Sequence, residues 1–311
     1  MGVKLGINPI TWSNDDLPSL GGDTPLETCL RETKAAGYVG TELGGKFPRQ
    51  SQELSKVLGE HGLLLVSGWY DGRILENDVA AEFEALRPHL ALLRDLGCKV
   101  AVYADVSRGR HDGIFRPLSQ RPRLSPAEWP GYGRKVTALA MKMAAFGIRM
   151  AFHHHMGTIV QTDNEVDLLM AHSGPDVGLL LDTGHSVFAG GDPLALLEHH
   201  HARIVHVHCK DVRRLELEAA LAQDMSFMDA VLAGIFTVPG DGCFDYPRLL
   251  APLRALGYSG WLVVEAEQDP AKANPLEYAT FGYRNLHSLA KAAGFEIEAA
   301  PTSKARPFTG G

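Results

Sequence analysis

Cysteine is scarce in this chain of 311 residues, and its placement excludes two common uses of the residue. The four cysteines, Cys29, Cys98, Cys209 and Cys243, are scattered and form no CxxC pair. This spacing argues against a disulfide framework and against a zinc finger. Free thiols are typical of a reducing compartment, so we expect a cytoplasmic protein.

Long apolar runs and an excess of positive charge are also missing. No run approaches the roughly 18 apolar residues of a membrane span, and the first residues, MGVKLGINPITW, do not follow the pattern of a secretory signal. The formal net charge is −7, with 30 Lys and Arg residues against 37 Asp and Glu residues. An acidic chain without a broad basic face is not expected to bind nucleic acid or an anionic membrane.

The sequence does contain a repeated junction, in which a helical stretch ends at glycine and a short apolar strand follows. It occurs in the segments KAAGYVGTEL, GEHGLLLVSGW, RDLGCKVAVYA, AAFGIRMAFHH and RALGYSGWLVVE. Glycine suits the position after a helix because it adopts the left-handed conformation without a Cβ clash. The strands that follow are continuously apolar, which is typical of a parallel sheet buried on both faces.

Eight strands are predicted in this way, and most are followed by a helical pattern. They cover residues 3–8, 38–42, 63–68, 99–104, 149–153, 177–181, 204–208 and 261–265. Helix starts are marked by a hydroxyl or carboxyl residue followed by proline at Thr24-Pro25, Ser125-Pro126 and Asp192-Pro193.

Eight such units predict an α/β fold, a single (β/α)8 TIM barrel over residues 1–290. A C-terminal extension over residues 291–311 is expected to be largely disordered, because its end is polar and rich in Pro and Gly. A doubly wound sheet is the alternative. It would carry a glycine-rich phosphate loop after an early strand, and neither GxGxxG nor GxxxxGK[ST] occurs.

Four of the predicted strands end in a residue type that binds divalent metals: His153, Asp182, His208 and Glu265. The C-terminal ends of barrel strands meet at one face, which carries the active site in this architecture. Buried polar groups at that face need a shared compensating charge. Two imidazoles and two carboxylates balance a divalent cation, and they suit Mn²⁺, Co²⁺, Fe²⁺ or Zn²⁺ better than Ca²⁺.

Strand alternation places the neighbours of the two histidine ligands. His155 shares the strand face of His153, whereas His154 points to the opposite face. His206 lies on the face of His208 but deeper in the barrel. His155 is therefore expected on the same side of the strand as His153, and His206 beneath the metal.

Further polar residues are expected around the metal. His185, three residues beyond Asp182, and Lys210, on the face of His208, are catalytic candidates. The side chains expected to contact substrate lie at or just past strand ends: Trp12, Glu42, Trp69 and Glu267.

This equipment suits the removal of a proton next to a carbonyl group. The metal in such sites polarises the carbonyl while one side chain takes the α-proton, and another acid protonates the departing hydroxyl or returns the proton elsewhere. Isomerases and dehydratases share these requirements, so the residues alone do not choose between the two reactions.

Several segments resemble the xylose-isomerase-like superfamily of TIM-barrel isomerases, epimerases and dehydratases. DTGH at 182–185 and the HxKD pattern at 208–211 mark the superfamily. The opening GINPITW at 6–12 and the segment VVEAEQDPAKANP at 263–275 are more specific. Within the superfamily they resemble the myo-inosose-2 dehydratases (2-keto-myo-inositol dehydratases) of bacterial inositol catabolism. Matching segments span nearly the whole chain to about residue 290.

The resemblance implies that the chain eliminates water from a cyclic keto-polyol, scyllo-inosose, with Mn²⁺ or Co²⁺, and it admits glutathione as a further cofactor and a homo-oligomer. It carries the ligand role to Asp182, His208 and Glu265, and substrate contact to His185 and Lys210. It makes His155 the leading acid or base. The superfamily usually has Glu where His153 stands, so both His153 and His155 remain candidates for the fourth ligand.

Three other functions compete with a dehydratase. A ketose isomerase or epimerase on the same scaffold is the main alternative. A phosphodiesterase acting on abasic DNA would need more metal ligands and a basic groove, and a non-enzymatic sugar-binding barrel would have an incomplete metal site.

Overall fold

A computed structural model describes residues 2–299 of the chain. The strands are β1 (Gly2–Ile7), β2 (Gly40–Leu43), β3 (Leu64–Gly72), β4 (Val100–Asp105), β5 (Arg149–His153), β6 (Val177–Asp182), β7 (Ile204–Cys209), β8 (Asp211–Val212), β9 (Phe236–Thr237), β10 (Gly260–Val264) and β11 (Glu296–Ile297).

The helices alternate with these strands along the chain. They are α1 (Leu26–Ala36), α2 (Ser51–Glu60), α3 (Val79–Asp95), α4 (Trp129–Phe146), α5 (Asp163–His172), α6 (Thr183–Phe188), α7 (Pro193–His200), α8 (Arg214–Ala222), α9 (Phe227–Ala233), α10 (Tyr246–Ala255) and α11 (Pro275–Ala292).

Eight parallel strands form a closed barrel. Strands β1 to β7 pair in chain order, β10 pairs with β7, and the pairing of β10 with β1 closes the ring. The register at the closure sets Ile7 opposite Val264, at the C-terminal ends of the two strands. The predicted (β/α)8 barrel is therefore confirmed, and its eight strands are the eight that the sequence predicts.

The glycines at the predicted junctions have the expected conformation. Gly37, Gly62, Gly97, Gly147 and Gly257 all have positive φ angles, between 62° and 113°. Each lies just after a helix and before a barrel strand, where any other residue would be strained. These glycines stop the helices and fix where the strands begin.

The helix starts were predicted less well. Asp192 caps α7 as expected, since its carboxylate accepts a hydrogen bond from the backbone N–H of Leu194 at 3.0 Å. The caps predicted at Thr24 and Ser125 are wrong. Helix α1 begins after Pro25, helix α4 begins after Glu128, and neither helix has a side-chain cap.

The C-terminal boundary expected at residue 290 falls inside α11. Strand β11 follows and pairs with β1, setting Glu296 opposite Gly2. Residues 291–299 are therefore part of the folded barrel, and the remainder of the expected extension, 300–311, lies outside the described residues.

The composition led us to expect neither a disulfide framework nor a membrane span. All four cysteines are free thiols, and three of them are buried. Among residues 2–299, no helix combines the length and the apolar character that crossing a bilayer requires.

Candidate metal centre and active site

The four predicted metal ligands meet at the C-terminal face of the barrel. His153 ends β5, Asp182 ends β6, His208 lies in β7 and Glu265 follows β10. All four side chains are buried, and one ligand atom from each lies within 4.8 Å of the others. The β6–β7 register sets Asp182 directly opposite His208. We call these four residues the cup.

The contacts within the cup involve single, defined atoms. Nε2 of His153 lies 3.3 Å from Oδ2 of Asp182. Nδ1 of His208 lies 3.0 Å from Oε2 of Glu265 and 3.5 Å from Oδ2 of Asp182. Imidazole nitrogens and carboxylate oxygens thus point at one common space.

The charges of the cup favour a cation. Burial raises the pKa of Asp182, but its electrostatic interactions with His185 and Lys210, together with hydrogen bonds from His153 and His208, outweigh burial and hold the pKa well below its usual range. Burial likewise raises the pKa of Glu265, and His208 with Lys210 brings it below its usual value. Two ionised carboxylates with two imidazoles are a donor set that fits a divalent transition-metal ion.

A buried carboxylate lies beneath the cup and fixes its histidine. Oε1 of Glu42 contacts Nε2 of His208 at 3.2 Å and Nε2 of His206 at 3.0 Å. Its other oxygen accepts a hydrogen bond from Asn8 at 2.7 Å. Because Nε2 of His208 is bonded to Glu42, its Nδ1 is left to face Asp182 and Glu265, an orientation typical of metal-binding histidines.

Glu42 was expected to contact substrate, and the structure does not support that role. Its carboxylate is buried among Asn8, Ser67 and the two histidines, and it does not line the cavity above the cup. The position of Glu42 near the end of β2 agrees with the sequence, but that position does not indicate how deep the side chain lies. The deeper position of His206, by contrast, agrees with the sequence.

Lys210 and His185 lie beside the cup. Nζ of Lys210 is 3.0 Å from Oε2 of Glu265 and 3.2 Å from Nε2 of His185. Burial lowers the pKa of this lysine, but Glu265 and Asp182 outweigh burial and raise it above its usual value, so the amine is a buried cation. A fixed positive charge at this point can stabilise an oxyanion on a bound substrate.

His155 lies at the rim, and its tautomer follows from one hydrogen bond. Its Nδ1 is 2.8 Å from the carbonyl oxygen of Met156. A carbonyl only accepts, so Nδ1 carries the proton and Nε2 keeps its lone pair. Burial, together with the nearby His153, holds the pKa of His155 well below its usual range, so the ring is neutral and can accept a proton at Nε2.

Glu267 lies above Glu265, on the same side of the chain. Its Oε1 accepts a hydrogen bond from Asn14 at 2.8 Å, and its Oε2 lies 3.8 Å from Nζ of Lys210. Burial raises its pKa to about 7, with Lys210 opposing and Asp16 adding to the rise. A carboxyl group poised between its two forms suits proton transfer.

Aromatic side chains that the sequence analysis did not identify close one side of the site. Phe227 begins α9 and Phe236 lies in β9, and their rings lie 5.6 Å and 5.4 Å from the ring of His185. The small antiparallel sheet of β8 and β9 positions Phe236, which pairs with Val212. Residue-type and spacing arguments pointed to neither phenylalanine.

A small cavity lies directly above the cup. Its lining consists of Asn8, Ile10, Asp15, Asp16, Leu43, Trp69, His155, Glu265 and Glu267. Trp69 packs edge-on against the rings of His153 and His155, at 5.4 Å and 5.3 Å. Two residues expected to contact substrate, Trp69 and Glu267, therefore reach this cavity.

Trp12 does not reach this cavity, contrary to expectation. The chain turns through a short 3-10 helix, Pro9–Thr11, after β1. This turn directs the indole towards α1, where its N–H donates to Glu32 at 2.7 Å. Trp12 is a buried packing residue, because Asn8 caps this turn and Pro9 begins it.

A larger cavity at the opposite, N-terminal face of the barrel lacks the chemistry of the cup. Its lining includes Lys99, Arg149 and His201, but no carboxylate. The chemical groups therefore identify the smaller cavity as the candidate active site.

Comparison with known proteins agrees with this architecture. The profile of the xylose isomerase-like TIM barrel family matches residues 30–288. A rhizopine catabolism protein, MocC of Rhizobium meliloti, is 64% identical over 96% of this chain and 92% of its own length. The chain belongs to the xylose isomerase-like TIM barrel family.

Two further known proteins are similar to most of the chain. An inosose dehydratase of Geobacillus thermodenitrificans is 44% identical over 89% of this chain and 94% of its own length. A solved structure described as IOLI protein with a binding zinc atom covers 94% of this chain and 99% of its own, with a TM-score of 0.64 and 16% identity. The latter likeness supports the shared fold.

Proposed function

We propose that the protein is a divalent-metal-dependent dehydratase, a carbon–oxygen hydro-lyase that eliminates water from scyllo-inosose (2-keto-myo-inositol) in inositol catabolism. The observation that carries the proposal is the buried cup with a proton-accepting imidazole nitrogen, that of His155, at its rim. The relative named inosose dehydratase, 44% identical over most of both chains, supports the substrate class.

His153, Asp182, His208 and Glu265 would hold the metal. Their two carboxylates neutralise a divalent charge, and Glu42 orients His208 from below. The bound ion would supply Lewis-acid polarisation of the ketone oxygen. Nitrogen and oxygen donors in this mixture suit manganese, cobalt, zinc and iron. Manganese or cobalt is our first choice among the four, because the family resemblance implies one of these two.

The side chains around the cup would perform the proton transfers. His155 accepts the proton from the carbon next to the ketone at its free Nε2. Lys210 stabilises negative charge that develops on the substrate oxygen. The Glu267 carboxyl group, held by Asn14, protonates the departing hydroxyl, which leaves as water. His185 fixes Lys210 through the contact at its Nε2, and Trp69 packs against His153 and His155 at the cavity.

The test starts from enzyme stripped of metal by a chelator and reconstituted with Mn²⁺, Co²⁺, Zn²⁺ or Fe²⁺, with and without glutathione. Each form is incubated with scyllo-inosose, and the ultraviolet absorbance of the dione product is followed. Metal-dependent dione formation is expected. Recovery of an isomerised ketose without dione would instead establish the isomerase or epimerase alternative.

Rhizopine catabolism is the second candidate function, because the relative bearing that name is 64% identical, against 44% for the inosose dehydratase. The same metal-loaded enzyme is therefore also incubated with rhizopine. Consumption of rhizopine, with scyllo-inosose left unchanged, would favour this candidate over the first.

Two further expectations belong to the proposal. The four free thiols fit the cytoplasmic location expected from composition. A homo-oligomer is proposed from the family resemblance, and sedimentation equilibrium of the purified protein measures it.

A further inference from the structure

A second group of metal-binding side chains lies on the outer helices. Asp167 belongs to α5, and His199 and His200 are the last two residues of α7. Nε2 of His200 is 2.6 Å from Oδ1 of Asp167, and Nδ1 of His199 is 3.5 Å from the same oxygen. The three ligand atoms all lie within 4.8 Å of one another.

The two distances to Asp167 are close to those that a small metal ion imposes, and the two histidine nitrogens lie within 4.8 Å of each other. Zinc–ligand bonds of about 2.0–2.2 Å in a tetrahedral site set neighbouring ligand atoms roughly 3.3–3.6 Å apart. The His199–Asp167 separation already has this value. The His200–Asp167 pair has to open by less than about 1 Å, which a side-chain rotation of Asp167 can supply.

The surroundings hold one ligand firmly and leave the others accessible. The His200 side chain is 14% exposed, whereas those of Asp167 and His199 are 44% and 59% exposed. The last turn of a helix carries unpaired carbonyl groups, so its negative end also favours a cation beside His199 and His200. A metal can thus reach the group from solvent without unfolding either helix.

We propose that Asp167, His199 and His200 form a peripheral site for a divalent transition-metal ion such as Zn²⁺. Two imidazoles and one carboxylate select zinc, nickel, copper or cobalt over calcium and magnesium. Three protein ligands leave one tetrahedral position for water or for a ligand from outside the chain.

This site is separate from the cup. Helix α7 leads through a short 3-10 turn, His201–Arg203, directly into β7, so its C-terminal end lies towards the N-terminal face of the barrel. The cup lies at the opposite ends of the strands. Removing a ligand of the peripheral site is therefore expected to leave turnover unchanged.

The test counts bound zinc per chain after equilibrium dialysis against buffered Zn²⁺. Wild-type protein is expected to bind one equivalent more than His199→Ala and one more than Asp167→Asn. His201→Ala is the matched control, because the side chain of this neighbouring histidine is hydrogen-bonded to the backbone oxygen of Glu198, at 3.5 Å, and does not belong to the group. It should bind as much zinc as the wild type.

A spectroscopic measurement accompanies the count. With Co²⁺ as the probe, the visible absorption of wild type minus that of His199→Ala should show the strong bands of a tetrahedral site. His199 is exposed, so its variant should unfold at the wild-type temperature. Equal zinc content and equal cobalt spectra in wild type and His199→Ala would overturn the proposal, and the contacts would then be ion pairs between helices only.

The result does not depend on the proposed function. Zinc bound at the peripheral site is measured as the difference in zinc content between wild type and His199→Ala, so it is counted whether or not the cup binds metal. In a Glu265→Gln background, which weakens the cup, the same difference of one equivalent is expected.

Discussion

Replacing Glu42 by Gln tests whether this residue positions the cup or contacts substrate. The Glu42 carboxylate receives hydrogen bonds from Asn8, Ser67, His206 and His208. Burial raises its pKa, but the fields and hydrogen bonds of the two histidines outweigh burial and hold the pKa well below its usual range. The group is therefore a buried anion that anchors two imidazoles.

The magnitude follows from the partners. The best orientation of Gln keeps its oxygen towards the two histidines and Ser67, and turns its NH₂ group towards the amide nitrogen of Asn8. The hydrogen bonds from Ser67, His206 and His208 lose their charged acceptor, at a cost of about 1 kcal/mol each. The NH₂ groups of the new Gln and of Asn8 then face each other as two donors, which costs about 1–2 kcal/mol. The free energy of unfolding should therefore fall by about 4–5 kcal/mol, which lies at the upper end of the usual cost of breaking a buried charged pair.

Metal affinity should fall as well, because His208 loses the partner that orients it. Outer partners of this kind change metal affinity by about 10- to 100-fold, or roughly 1.4–2.8 kcal/mol. The KM for substrate should stay at the wild-type value once metal is saturating. Metal affinity is measured by competition with a chromophoric chelator, and stability by urea unfolding of the metal-free protein.

Glu82→Gln is the matched control. Glu82 is equally buried and accepts hydrogen bonds from the backbone of Arg73, from Tyr103 and from Asn77, far from the cup. It should lose stability and keep full metal affinity. An unchanged metal affinity in Glu42→Gln, combined with a raised KM at saturating metal, would refute the anchoring role. It would instead support the expectation from the sequence that Glu42 contacts substrate.

Four further predictions concern the site and its surroundings. Glu265→Gln should abolish turnover and weaken metal retention, measured as metal content after gel filtration; full turnover would contradict its role as a ligand. His155→Ala should keep its metal but lose at least about 100-fold in kcat, the usual scale of general acid–base catalysis; loss of the metal would instead make His155 the fourth ligand. Gly184→Ala would place a Cβ 2.5 Å from Cγ of Lys210. The displaced lysine should lower kcat at wild-type metal content, whereas an unchanged kcat would argue against a catalytic role for Lys210. His89 should make stability depend on pH, because burial lowers its pKa from 6.5 to about 4. The unfolded chain then takes up this proton first, so about 3 kcal/mol of stability should be lost as the pH falls from above 6.5 to about 4. His89→Gln should lack this part of the loss in urea unfolding at both ends of that range, and an identical pH dependence would contradict the assignment.

The fold was predictable because its signals are local. Each glycine at a helix end requires a positive φ angle, and each continuous apolar run requires burial on both faces. Five of these junctions, with the strands they introduce, are enough to suggest the barrel. The caps at Thr24 and Ser125 failed because a helix can begin without any side-chain cap, as α1 does directly after Pro25.

The candidate site was predictable only in part. Neither the depth of a side chain in the barrel nor a contact between residues far apart in the chain can be read from a local sequence pattern. The four cup residues end parallel strands, and closure of the barrel brings such ends together. Glu42 also lies at a strand end, yet its side chain is one layer deeper than the cup. Phe227 approaches His185 from a helix that follows β7, and no spacing in the sequence predicts that approach.

The distribution of proton-carrying groups favours elimination over isomerisation. An isomerase can return the abstracted proton through the group that removed it, whereas a dehydratase also needs an acid for the departing hydroxyl. The rim offers two separate groups for these tasks, the free Nε2 of His155 and the Glu267 carboxyl held by Asn14. Lys210 lies 3.8 Å from Glu267, and in the proposed mechanism it stabilises negative charge without having to exchange its own proton. The cup offers ligands for a divalent cation, and the rim offers two proton-transfer groups. Together they meet the requirements of water loss from a keto-polyol.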